Sequence, residues 1–107
     1  MTAVLEKVQR LEQYLLLTDG YADPVVEGTI DKVLDRERHR LLQQRVRLES
    51  QLAEFEARYG WTSEEFFPRF ERGELGDEID FVEWSATVEM VEHLQHTLEL
   101  LDKRDGE

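Results

Sequence analysis

The 107-residue sequence has no cysteine, which excludes disulfides, zinc ribbons and thiol chemistry. It has no run of about 18 apolar residues and no basic region followed by an apolar stretch at its N-terminus. Neither a membrane span nor a secretory signal is therefore expected, and the cytoplasm is the expected location. Basic residues are scarce, 13 Lys and Arg against 25 Asp and Glu, for a net charge of −12. Because binding to phosphate backbones relies on Lys and Arg displacing counterions, this balance argues against nucleic acid as a primary partner. No glycine-rich phosphate loop, nucleophile elbow or Ser/His/Asp grouping is present, so no catalytic residue and no cofactor is expected.

What the chain does have is acid in one half and aromatics in one stretch. From Glu64 to Glu107 fourteen acids face four bases, whereas Met1 to Ser63 carries eleven against nine. Such a surface steers a basic protein partner as well as keeping the chain soluble. The one basic patch, RERHRLLQQRVR at 36–47, holds five Arg and one Glu, and is read as pairing with the acidic C-terminal helix. Seven of the ten aromatic residues fall between Tyr59 and Trp84, interleaved with carboxylates.

Hydrophobic spacing predicts an all-α fold. Val4, Val8, Leu11 and Leu15 recur at helical intervals, giving a short helix over 3–17 that ends before Asp19-Gly20. Asp23 is placed to cap a helix beginning at Pro24, although Gly28, which costs about 1 kcal/mol inside a helix, allows a start at Thr29 instead. Leu34, Leu41, Leu48 and Phe55 then recur every seven residues along a long helix that reaches 59. Arg38 and Arg45 interrupt the seam, leaving it thin. A short helix over 63–72, with Pro68 expected to kink it or tighten it to 3₁₀, and a last helix over 81–103 complete the chain. The expected arrangement is an elongated antiparallel hairpin of the long and C-terminal helices, joined by the short one. The long helix would span about 46 Å where a compact chain of this size is about 34 Å across. A second copy, covering the Leu34, Leu41 and Leu48 stripe or the open side of the last helix, is the simplest cover for the remaining apolar surface, so a homodimer is expected.

Two helix starts carry a capping-box pattern. In WTSEEF, Thr62 accepts from the Glu65 backbone, Glu65 returns the bond, and Trp61 packs on Phe66. In IDFVEW, Asp80 and Glu83 play the same parts and Ile79 packs on Trp84. Gly73 and Gly76 suit the left-handed turns that follow the short helix.

The remaining candidate chemistry is carboxylate and imidazole. Glu74-x-x-Asp77 and Glu89-x-x-Glu92 are spaced to share Mg²⁺, and GELGD resembles the magnesium motif of the MazG-like all-α nucleotide pyrophosphatases. That family adds an E-x-x-E on a preceding helix, which the long helix here lacks. Glu89, Glu92, His93 and His96 are spaced for a transition metal but lack the H-E-x-x-H order of zinc hydrolases. Caps and solvated acids account for the same residues, so no metal is assigned. Phe66 and Phe70 read as core at i, i+4, while Phe67 lies on another face and is the first candidate for a partner contact.

The segment FEARYGWTSEEFFPRFERGELGDEIDFVEW resembles a group of small acidic helical proteins of bacteria and archaea. They read F-E-x-x-Y-G-[ST]-S-x-E-F followed by G-E-L-G-D-x-x-D-F-x-E-W, and many look like antitoxin partners in toxin–antitoxin gene pairs. The resemblance covers about a third of the chain, from Phe55 to Met90. It implies a non-enzymatic protein that binds and masks a basic toxin encoded beside it, with Phe67, Phe70, Glu74 and Asp77 as partner-binding candidates. The alternatives are a Mg²⁺-dependent nucleotide pyrophosphatase and a purely structural helical dimer.

Overall fold

The computed structural model describes residues 2–18 and 23–102, and these form four α-helices with no strand among them. They are α1 (Thr2–Leu17), α2 (Pro24–Tyr59), α3 (Ser63–Glu71) and α4 (Ile79–Asp102). The fold is all-α. The turn expected at Asp19-Gly20 and position 103, the expected end of the last helix, lie outside the described residues.

Local chemistry sets the boundaries. Asp23 caps α2 as its sequence position predicts, its Oδ1 accepting from Val26 N–H at 3.0 Å, and the helix begins at Pro24. It runs through Gly28, whose lack of a side chain leaves open space beside it. Thr62, in extended backbone, caps α3 by accepting from Glu65 N–H at 3.1 Å. At the far end Gly73 takes φ +76, Gly73 N–H donates to the Phe70 carbonyl at 2.9 Å, and Glu74 N–H donates to the Arg69 carbonyl at 3.0 Å. This is the paired 5→2 and 6→1 closure in which glycine supplies the left-handed residue. Pro68 sits inside α3, which is α-helical over its whole length and not partly 3₁₀.

The chain divides into two units, residues through Asp35 and residues from Arg36 onward. In the first, α1 contributes no buried residue, and Leu11 and Leu15 are its half-buried apolar positions.

The second unit is a hairpin of α2 and α4 with α3 packed against it. Its cross-links run in opposite order along the two helices: Arg38 pairs with Asp102, Arg45 donates to Gln95 at 3.0 Å, and Arg58 donates to Asp80 at 2.7 Å. The basic patch therefore meets α4 through Arg38 and Arg45. Leu48, Leu94 and Leu98 form one buried cluster, with Leu41 packed against it. The heptad stripe thus turns inward at Leu41 and Leu48, where α4 packs on it, and Leu34 remains exposed. The other cluster centres on Phe66, Phe81 and Trp84. Phe66 and Trp84 are fully buried and stack at 3.8 Å with their planes 2° apart. Full burial of two rings of this size is the largest apolar contribution in a small core. Among the described residues, no helix is long and apolar enough to cross a membrane.

Candidate protein-binding site

The aromatic stretch is a packed module that fixes α3 on the hairpin. Trp84 stacks on Phe55 of α2 as well as on Phe66 of α3, and its indole N–H donates to Ser63 Oγ at 2.9 Å. One side chain thereby joins three helices while its polar atom is satisfied, as burial requires. Phe70 stacks on Phe66 at 5.5 Å, which places this partner-contact candidate against the core.

Tertiary contacts reassign the second cap. Helix α4 begins at Ile79, so Asp80 lies one residue inside it, and Val82 N–H is bonded to the Glu78 carbonyl. Asp80 Oδ2 instead accepts from the Tyr59 hydroxyl at 2.6 Å and from Arg58 Nη1 at 2.7 Å. These two donors hold the Asp80 carboxyl below its ordinary pKa, and the same bonds hold the Tyr59 phenol and the Arg58 guanidinium above theirs. Ile79 is 76% exposed and does not form the apolar staple with the buried Trp84. Glu83 is exposed and turns to the groove beside Asp80.

Only half of the first box forms. The bond from Glu65 N–H to Thr62 is present, whereas the Glu65 carboxylate makes no return to Thr62 N–H; the next donor along, Ser63 N–H, is taken by Glu56 Oε2 at 2.7 Å. An acid on the preceding helix thus supplies the charge that the α3 N-terminus favours.

The metal candidates are not brought together. Glu74 is bound by Arg72 and also pairs with Arg69 at 3.7 Å, and its carboxyl is held below its ordinary pKa by Arg72 first. Asp77 lies in the exposed connection before α4. On α4, Glu89, Glu92, His93 and His96 are all exposed, and His96 lies 3.8 Å from Glu99. Among the described residues no three His, Asp or Glu side chains are placed to hold a metal ion.

Two grooves flank the module. One, of about 590 Å³, has Asp80, Arg58 and Glu83 on its lining with Phe55 and Met90. The other, of about 550 Å³, is bounded by α2, α3 and α4. Leu52, Phe67, Pro68, Val88 and Val91 form its apolar surface, and Glu49, Glu56, Glu64 and Glu92 also line it. No basic residue does so. Phe67 is half-buried at this groove, which is where a side chain off the Phe66–Phe70 face is carried by the helical rotation. Spacing along the chain puts Leu52, Val88 and Val91 on apolar helix faces but neither joins them in one groove nor points to Glu49; their convergence requires the packing of α2 against α4. The presence of Glu56 in the F-E-x-x-Y-G segment was the available signal for that residue.

The structure thus defines an all-α chain whose second unit carries an aromatic module and an acid-lined apolar groove. Compared with protein-family models, curated proteins and solved structures, the chain matches none.

Proposed function

We propose that this chain is a non-enzymatic protein-binding module, an antitoxin-like partner that binds and masks a basic, toxin-like protein. The groove bounded by α2, α3 and α4 supports this reading most directly. Its floor is apolar, four glutamates line it, and among the described residues no base does. Glu56 is engaged at the start of α3 and Glu49 pairs with Arg45 at 3.3 Å. Glu64 and Glu92 form no ion pair among the described residues and are left to meet a cation from outside. Apolar contact supplies affinity at such a site, while complementary charge selects the partner and speeds encounter.

The bound segment that fits is an element with apolar side chains flanked by Lys or Arg. Of the four partner-binding candidates, Phe67 lines this groove. Phe70 serves the core, Glu74 is engaged by arginines, and Asp77 is exposed away from the lining. The magnesium-dependent reading would have to strip Arg72 and Arg69 from Glu74, and among the described residues no three His, Asp or Glu side chains are placed to share an ion.

Co-expression of the tagged chain with the protein encoded beside it tests the proposal. Recovery of a 1:1 complex that Phe67→Ala weakens is expected. Pyrophosphate release from a nucleoside triphosphate with Mg²⁺, abolished by Asp77→Asn, would defeat it.

A further inference from the structure

We infer that the unit ending at Asp35 is a self-association surface, in which α1 of one copy packs in parallel against α1 of a second copy. The inference rests on this unit alone and is independent of the groove in the other. Among the described residues, nine of the fourteen exposed large apolar side chains lie between positions 4 and 34, although that segment is less than a third of the chain. They include Val4, Leu5, Val8 and Leu16 on α1 and Val33 on α2. None of the 16 residues of α1 is buried. A helix of that length is marginal by itself in water, and apolar side chains left exposed along it favour a covering partner.

The pattern on α1 identifies a partner for its exposed Val4 and Val8 together with the half-buried Leu11 and Leu15. Val4, Val8, Leu11 and Leu15 are spaced four, three and four residues apart, which is the seam of a two-stranded coil with Val8 and Leu15 at a and Val4 and Leu11 at d. In a parallel pair each position meets its own copy, so every layer is apolar. The same register puts Lys7 at g and Glu12 at the following e. Each Lys7 then lies beside Glu12 of the other copy, and the twofold axis makes the pair twice. An antiparallel pair would set Lys7 beside Tyr14 and Glu12 beside Leu5, forfeiting both ion pairs. The same side of α1 borders an open apolar groove of about 300 Å³, lined among the described residues by Val8, Leu11, Glu12, Leu15, Leu16 and Ile30.

Sedimentation equilibrium of the full chain tests this, with tryptophan fluorescence reporting that the module around Trp84 stays folded. The wild-type protein is expected to run at twice its 12.7 kDa chain mass. Val8→Glu/Leu11→Glu is expected to run as a monomer with unchanged fluorescence. Lys7→Glu, which places like charges together twice, is expected to weaken the dimer by roughly fivefold, and adding Glu12→Lys to restore it. A wild-type monomer at about 100 µM, where weak homodimers are populated, would overturn the inference. So would a dimer indifferent to Val8→Glu/Leu11→Glu. A dimer that Glu12→Lys fails to restore would overturn the parallel pairing.

Discussion

Asp80 shows how one side chain acts differently from its local sequence context. Read along the chain it has the spacing of a cap; in the fold it is the acceptor that ties α4 to the end of α2 through Tyr59 and Arg58. Its carboxyl is held below its ordinary value, so the stability it adds is present above about pH 4 and is lost as pH falls through the lower folded value. The Tyr59 phenol is shifted the other way, so its contribution is present below its ordinary value and disappears as pH rises through the folded one. Asp80→Asn is therefore expected to lower the melting temperature at neutral pH and to flatten its fall in acid, as thermal scans across pH would measure. An acid limb as steep as that of the wild type would contradict the assignment. Thr62→Ala, by contrast, removes a cap that was legible in the sequence, and is expected to cost about 1 kcal/mol in denaturant melts. Trp84→Ala empties the centre of the module and is expected to cost about 3–5 kcal/mol, a large part of the stability of a domain this small.

At the scale of elements, the helices were legible and their faces only partly so. Heptad and 3.6-residue spacing, Asp23, Thr62 and the glycines at 60, 73 and 76 place the helix ends within one or two residues, because caps and left-handed glycines act locally. The sequence did not reveal which faces meet. Ile79 looks like a staple but is exposed, and the carboxylate at the start of α3 is Glu56 on Ser63 N–H rather than Glu65 on Thr62 N–H, because both outcomes depend on the angle at which α3 and α4 meet α2. Leu41 and Leu48 likewise look open until α4 covers them. The closure of α3 can be tested alone. Gly73→Ala retains the space around the residue but forces a side chain into φ +76, and is expected to cost about 1 kcal/mol in the same melts. No change would mean that the turn relaxes to another conformation.

The charge of the whole molecule was legible in the sequence, whereas its acid-lined groove was not. The excess of acid in the C-terminal half follows from counting residues, but only the fold gathers Glu49, Glu56, Glu64 and Glu92 around Leu52, Phe67 and Val88. The central claim is that this gathering binds a basic protein. Calorimetric titration of the chain with the protein encoded by its neighbouring gene tests it most directly, comparing wild type with Glu64→Gln/Glu92→Gln at low and high salt. The account predicts that the wild type binds, that the double variant binds at least about tenfold more weakly at low salt, and that the difference shrinks as salt screens the rim. Equal affinities for the two proteins at low salt, or no binding to either, would contradict it.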